Sequence, residues 1–316
     1  EREVSKATGK SVLAALRSLN YNVKVIDPAY GLNQPQSEED FFTPDRKEDM
    51  SNANYLQILS SPFLDDVDTA FLALHGVWGE DGTIQSVLEL RGIPYTGSGI
   101  VASALGMDKE MTKIMLQHKG VPTPEWISVS KGYDLKDLIS RIKENLGFPC
   151  VIKPNDQGST IGLTICGEDS NVGEAVEKAL KLSRKALIEK YIPGRELTVA
   201  VLGQTHLPVL EIKPKHTYYD YECKYTTGMS EYEVPAKINE DTAKYLQKKA
   251  LDAFNAVGCE SYSRIDFRLT PEGNAFCLEI NTLPGMTSTS LVPKMAKAAG
   301  ISFEELIDRI IKFSLK

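Results

Sequence analysis

Four side chains near the C-terminus raise the first chemical question. Arg264 and Asp266 stand two apart in Ser263-Arg264-Ile265-Asp266-Phe267, and Glu279 and Asn281 stand two apart in Cys277-Leu278-Glu279-Ile280-Asn281. Between them lies a Pro271-Glu272-Gly273-Asn274 turn. Alternation of apolar and polar residues on both sides of such a turn predicts a β-hairpin. Side chains two apart on a strand share a face, so one pleated face would carry two carboxylates and an amide beside a guanidinium. Two carboxylates and a carbonyl oxygen suit a hard cation such as Mg2+, with phosphate and water completing its shell. A solvated hairpin face would show the same acids. Here, however, the flanking residues are Phe, Leu, Ile and Cys, and the strand runs into Leu283-Pro284-Gly285-Met286, which points the acids into a site.

Other segments carry chemistry of a compatible kind. After Lys153 the chain reads Pro154-Asn155-Asp156-Gln157-Gly158-Ser159-Thr160-Ile161-Gly162. Small residues let backbone N–H groups approach a phosphate, and Lys153 adds a point charge; a plain hairpin turn has the same composition. The run Glu189-Lys190-Tyr191-Ile192-Pro193-Gly194-Arg195-Glu196 reads as a strand leaving into a connector. Its main chain could meet an adenine edge, with Tyr191 and Ile192 as walls and Glu196 reaching ribose hydroxyls, or it could be a buried strand and a turn. His75-Gly76 and Gly79-Glu80-Asp81-Gly82 place three glycines in eight residues at a strand end, a loop needing positive φ or close backbone approach. A structurally satisfied His75 remains the alternative. The tyrosine-rich run from Tyr218 to Tyr225 is too polar for a core strand and reads either as a surface loop or as a lid carrying Lys224 and Tyr225.

These residues need elements to hold them. Helical periodicity is expected over 3–19, 85–91, 108–118, 134–146, 240–257 and 302–314, with strands at 23–26, 70–74, 196–202 and 207–213. Residues 31–54 are polar and weakly periodic and read as a surface insertion. The chain opens in helix-like sequence at Glu1-Arg2-Glu3, so a first β-strand and its turn are expected to be missing from it. The alternation of strands and helices predicts an α/β protein with an open parallel sheet in its N-terminal part. At 316 residues there is room for more than one domain. A net charge of −7 argues against nucleic acid or an anionic membrane as the main partner, and no apolar run approaches the ~20 residues of a membrane span. The five cysteines, Cys150, Cys166, Cys223, Cys259 and Cys277, lack Cys-x-x-Cys spacing and read as reduced thiols of a cytosolic protein.

Taken in order, Glu1-Arg2-Glu3-Val4-Ser5, His75-Gly76 with Gly79-Glu80-Asp81-Gly82, Tyr95-Thr96-Gly97-Ser98-Gly99 with Met107-Asp108-Lys109, Lys153-Pro154 with Gly158-Ser159, Tyr219-Asp220-Tyr221-Glu222 with Lys224-Tyr225, Arg264-Ile265-Asp266, and Glu279-x-Asn281-Thr282-x-Pro284-Gly285-Met286-Thr287 resemble the D-alanine–D-alanine ligase family of the ATP-grasp superfamily. The resemblance covers essentially the whole chain; only the family's glycine-rich turn before Glu1 has no counterpart. It implies three domains, with a substrate-binding α/β domain at 1–107, a central ATP-grasp domain at 108–188 and a C-terminal catalytic domain at 189–316, the last two clasping ATP. It further implies ATP-dependent formation of D-alanyl-D-alanine through an acyl phosphate, for peptidoglycan synthesis. With it come a cytoplasmic location and a homodimer that binds neither nucleic acid nor membrane.

The same resemblance distributes roles. Asp266, Glu279 and Asn281 would hold Mg2+, two ions sharing Glu279, with Mn2+ able to substitute. Lys109 and Lys153 would meet the α- and β-phosphates and Lys224 the γ-phosphate. Glu189, Lys190, Tyr191, Ile192 and Glu196 would surround adenosine. Glu1 would bind the ammonium of the first D-alanine, close to His75, with Glu80 in support and with Ser159 and Tyr225 hydrogen-bonded to Glu1. Arg264 and the Gly285 N–H would stabilise an oxyanion, and Ser290 and Leu291 would receive the second D-alanine. A D-alanine–D-lactate or D-alanine–D-serine ligase is the nearest alternative, and a nucleotide-binding regulator without catalysis the alternative from another class.

Overall fold

The computed structural model describes residues 1–45, 50–215, 228–287 and 289–315. Two antiparallel sheets dominate it. The first has four strands, β1 (Trp126–Ser130), β2 (Cys150–Pro154), β3 (Thr164–Cys166) and β4 (Lys185–Lys190), in the order β1-β4-β2-β3. The second is built from β5 (Arg195–Leu202), β6 (Thr205–His206), β7 (Leu210–Pro214), β8 (Ser230–Glu233), β9 (Tyr262–Leu269) and β10 (Ala275–Asn281), in the order β10-β9-β5-β7-β8 with β6 on β5. Because β4 belongs wholly to the four-stranded sheet, a division after residue 188 would cut through a strand.

The helices are α1 (Arg2–Ser18), α2 (Ala53–Leu59), α3 (Thr83–Arg91), α4 (Ile100–Met107), α5 (Lys109–His118), α6 (Leu135–Asn145), α7 (Val172–Leu180), α8 (Glu240–Val257), α9 (Leu291–Ala298) and α10 (Phe303–Ser314). Their starts follow capping chemistry. Asp108 accepts from the Met111 N–H, Asn239 from Thr242 and Ser302 from Glu305, each satisfying a donor that the first turn leaves without an intrahelical partner. Three apolar cores result. Helices α6 and α7 cover the four-stranded sheet through Leu138, Ile142, Val176 and Ile188. Helix α8 covers the larger sheet through Leu246, Phe254, Ile265 and Phe267. The third core joins α1 to the C-terminal helices, with Val12 and Leu16 in one cluster with Met295, Leu306 and Ile310.

The N-terminal strands differ from expectation. Residues 23–26 and 71–74 are not laddered strands, and the described parallel pairing is the single bridge Ala70–Tyr95. An apolar cavity of about 240 Å3 is lined by both segments, through Val23, Val25, Phe71 and Ala73, together with Val12 of α1. A ladder requires backbones at roughly 4.8 Å, and neither segment has a ladder partner among the described residues. On its other edge the 70–74 segment is tied to 94–96, by Ala70 N–H to Pro94 O and by Leu72 N–H to the Thr96 hydroxyl.

The 31–54 segment is more than a surface insertion. Phe41 is buried, and Asp45 accepts from Arg2 at 2.6 Å and from Lys6. Burial alone would raise the pKa of Asp45, but the hydrogen bonds and charges of Arg2 and Lys6 outweigh it and hold it at about 2. A carboxyl depressed below its unfolded value stabilises the fold above that value and loses the contribution as pH falls through the folded one. Asp45→Asn should therefore cost about 1–2 kcal/mol at pH 7, and the cost should vanish as pH falls from about 4 to about 2. Urea titrations of both proteins across that range check this; a penalty independent of pH would mean the carboxylate charge is irrelevant.

Candidate functional site

The predicted hairpin forms, and its register pairs Glu279 with Asp266 and Asn281 with Arg264. Strand β5 extends these rows, with Thr198 opposite Asp266 and Glu196 opposite Arg268. One feature of β10 was not readable from alternation. A bulge between Cys277 and Glu279 inserts Leu278 without a partner, and a one-residue shift exchanges the faces of all that follows. Cys277 points into the core, so without the bulge Glu279 would do the same.

Asp266 is held by four donors. Arg264 donates Nε to Oδ1 at 2.9 Å and Nη2 to Oδ2 at 2.8 Å, Thr198 donates its hydroxyl to Oδ1 at 2.6 Å, and Asn281 donates Nδ2 to Oδ2 at 3.1 Å. These fill the roughly four lone-pair sites of a carboxylate. Arg264, expected at an oxyanion, is thus clamped bidentately on Asp266. Among the described residues no three His, Cys, Asp or Glu side chains converge as a metal site. The donor set is instead two carboxylates and an amide, which fits a hard divalent cation and not zinc. Turning the Asn281 amide end for end would vacate a lone pair on Asp266 and offer Oδ1 in the same movement.

A cavity of about 130 Å3 lies between the faces of the two sheets. Its lining includes nine of the residues singled out in the sequence: Lys109, Lys153, Glu189, Lys190, Tyr191, Ile192, Glu196, Asp266 and Glu279. On the four-stranded sheet Ile165, Val151, Glu189 and Trp126 form one cross-strand row. Lys153 stands two residues along from Val151 and ion-pairs Glu189 Oε2 at 2.6 Å. Glu189 is 3 % exposed; burial would raise its pKa, but Lys113 and Lys153 outweigh that and hold it below the usual carboxylate range. The Lys113 ammonium lies 2.8 Å from its Oε1.

Lys109 spans the site from the first turn of α5. It donates Nζ to Gln157 O at 2.7 Å and lies 3.9 Å from Glu279 Oε2. The Lys153 loop so fixed passes Glu1, and a Cβ built on Gly158 would sit 2.9 Å from Glu1 Oε1. Ser159 and Thr160 follow with φ of 52° and 62°. Such values in non-glycine residues mark stored strain of the kind found at ligand clamps.

A second cluster gathers around His75, which is buried. Its Nε2 is 2.9 Å from Thr8 Oγ1, its Nδ1 is 3.1 Å from Glu80 Oε1, and its N–H donates to Ser5 Oγ. Thr8 Oγ1 in turn accepts from Met286 N–H at 3.4 Å, which joins the N-terminal helix to the Gly285 loop. Ser290 is at the N-cap of α9, its Oγ accepting from Thr287 N–H. The glycine expectation for this loop is met at Gly82, where φ is +91° and an added Cβ would lie 2.8 Å from Ile100 O.

Leu291 is 5 % exposed and packs beside Val292 and Met295, at the first buried position of an amphipathic helix. Lys224 and Tyr225 lie outside the described residues. Sequence reasoning passed over Thr8, Lys113, Thr198, Arg268 and Leu278. Thr8 had a signal, since Glu1, Ser5 and Thr8 share one helix face; so did Arg268, two residues beyond Asp266 on the site face. The described cysteines offer no nucleophile. All four are buried, and burial pushes the Cys150 and Cys259 thiols up to about 12 and those of Cys166 and Cys277 upwards as well.

Comparison with known proteins agrees with this geometry. The family model described as D-ala D-ala ligase N-terminus matches residues 1–98, and that of the D-ala D-ala ligase C-terminus matches residues 115–312. A D-alanine–D-alanine ligase of Pelotomaculum thermopropionicum is 40% identical over 100% of this chain and 93% of its own. The crystal structure of the Bacillus anthracis D-alanine–D-alanine ligase complexed with ATP superposes with a TM-score of 0.78 at 32% identity, over 100% of this chain and 93% of that one. VanG, a D-Ala:D-Ser ligase of Enterococcus faecalis, superposes with a TM-score of 0.71 at 34% identity, over 78% of this chain and 73% of that one. The two facing sheets are those of the ATP-grasp fold, and the chain belongs to the D-alanine–D-alanine ligase family.

Proposed function

We propose that the protein is an ATP-dependent ligase that joins two molecules of D-alanine into D-alanyl-D-alanine, releasing ADP and phosphate. The observation that carries this reading is the cavity between the sheets, with Lys109 and Lys153 facing Asp266 and Glu279 across it. A cavity that brings Lys109 and Lys153 together with Asp266 and Glu279 suits a polyphosphate and its counter-ion. Val151, Ile165, Tyr191 and Leu278 supply apolar walls for a purine, and the Glu189 carboxylate among the lining is an acceptor for its amino group.

The chemistry follows from charge. A carboxylate oxygen of the first D-alanine attacks the γ-phosphorus as the bond to ADP breaks, bringing several negative charges together. Positioning and neutralisation are therefore the main tasks of the protein. Lys109 and Lys153 serve the α- and β-phosphates, while Asp266, Glu279 and Asn281 hold Mg2+, which offsets phosphate charge when bound. The amine of the second D-alanine then attacks the acyl carbon, passes a proton to its surroundings and expels phosphate. Arg264 and the Gly285 N–H face the oxyanion that forms. Glu1 and the buried His75, paired with Glu80, fix the first substrate, and Ser290 the carboxylate of the second. The product supplies peptidoglycan precursors in the cytoplasm, from a homodimer whose chains divide near residue 107 and again just past the end of β4. Among the described residues no helix is long and apolar enough to cross a membrane.

The likeness to VanG makes acceptor choice the specific question. The acceptor attacks as a neutral amine, whose population rises with pH, and a site built to pair substrate N–H groups discriminates strongly against an analogue lacking them. In equal D-alanine and D-lactate, dipeptide should exceed D-alanyl-D-lactate by about tenfold or more at neutral pH, and the ratio should grow between about pH 6 and 9. Product analysis with phosphate release measures it. A depsipeptide majority, or a D-alanyl-D-serine majority in the matching mixture, would transfer the assignment to those ligases. Absence of phosphate release with every acceptor would leave a nucleotide binder.

A further inference from the structure

Behind the wall of the cavity lies a buried cation that the mechanism above does not use. Lys113 is 1 % exposed and lies one helical turn after Lys109 on the same face of α5. Its ammonium donates to the Thr123 hydroxyl and to Pro124 O, both at 2.8 Å, lies 2.8 Å from Glu189 Oε1 and is 5.2 Å from the Trp126 ring centroid. Two of its three donors are thus spent on fixed groups, and the third side of the ammonium is turned to Glu189. Burying an ammonium is costly unless its charge is used. A core lysine could be explained by its pairing with Glu189 alone, yet Glu189 already has Lys153 at 2.6 Å. Two cations on one buried carboxylate exceed what neutralisation of that carboxylate needs.

The excess has a use if one of the two must leave. Lys153 lines the cavity and ends a strand, and a lysine stem can swing; Lys113 is pinned from two sides. We propose that Lys113 is a positioning residue for nucleotide binding: it keeps Glu189 compensated and in place while Lys153 transfers from Glu189 to a phosphate group. The proposal rests on the reading of this cavity as the nucleotide site. It makes Lys153 a shared cation, held by Glu189 in the empty cavity and released to the ligand because Lys113 remains behind. Without Lys113, drawing Lys153 towards a phosphate would strand a buried carboxylate, and phosphate-bearing ligands would bear that cost while a ligand lacking phosphate would not.

The test compares ADP with adenosine by calorimetric titration and competition. Lys113→Met, unbranched and of similar length, should weaken ADP about tenfold or more and adenosine less than about twofold. Equal losses for both ligands, or no loss for either, would overturn the proposal by making Lys113 a core residue that merely shapes the wall. Should Lys113→Met not fold, Lys113→Met in a Glu189→Gln background removes both buried charges together. There the ratio of ADP to adenosine affinity should match that of Glu189→Gln alone, and a further large fall for ADP would show that Lys113 acts on phosphate directly and sink the idea. Wild-type protein that binds neither ligand would instead defeat the reading of the cavity.

Discussion

Glu279→Gln should lower turnover at ordinary Mg2+ by about 10^2–10^3-fold, since metal-assisted charge stabilisation is worth several kcal/mol. Thermal unfolding should stay within about 3 °C of the parent. The two parts of this expectation come from different observations. Glu279 stands on the site face, opposite Asp266 and 3.9 Å from Lys109, so glutamine removes charge at the point where a cation would be shared. Its side chain is partly exposed, glutamine preserves its shape, and the buried Lys109 that loses a charge at 3.9 Å keeps its hydrogen bond to Gln157 O, so no buried donor is stranded. The Mg2+ dependence separates this from a general loss. The variant should need a higher Mg2+ concentration for half its maximal rate, whereas loss of a merely structural contact would leave that concentration where it was. Near-normal turnover at ordinary Mg2+ would remove Glu279 from the metal face.

That prediction depends on a residue whose placement was only half readable in the sequence. Alternation around the Pro271–Asn274 turn put Arg264 with Asp266 and Glu279 with Asn281, and a hairpin register follows readily when one face must be apolar. What alternation does not encode is the extra residue Leu278. The pattern of Ala275 and Cys277 inward, continued without a bulge, buries Glu279; its carboxylate argued for the site, and the backbone complies by bulging. Helices with strong caps and periodicity, such as α5 and α8, were legible for the converse reason, that local chemistry and burial agree. The N-terminal segments failed where tertiary context decides. Val23-Lys24-Val25-Ile26 and Phe71-Leu72-Ala73-Leu74 have strand-like composition, but a strand needs a neighbour at ladder distance, and both segments line an apolar cavity without one among the described residues. Lys113 was invisible for another reason, because a lysine on a helix reads as a solvated position until the structure shows Glu189 and Pro124 around it.

Arg264→Lys should reduce dipeptide formation by about 10^2–10^3-fold with KM for ATP within about threefold, because it keeps the charge and removes the planar fork. In this structure the fork grips both oxygens of Asp266, at 2.9 and 2.8 Å. That grip allows two accounts of the same loss. In one, Arg264 serves the tetrahedral intermediate directly, and its bond to Asp266 aims it. In the other, it serves the metal face by orienting Asp266, whose remaining donors would be Thr198 and Asn281 alone. The two steps of the reaction tell them apart. Phosphoryl transfer needs the metal face but develops no carbonyl oxyanion, while attack of the second amine does. Rapid quench of a single turnover reads both, as ADP formed and as dipeptide formed. If Arg264 faces the oxyanion, ADP should appear at a rate within about tenfold of the parent while dipeptide lags far behind, since removing one oxyanion donor costs about 10^2–10^3-fold in the step that uses it. An equal loss in ADP and dipeptide would place Arg264 behind Asp266 as part of the cation site, and would leave the Gly285 N–H as the oxyanion donor.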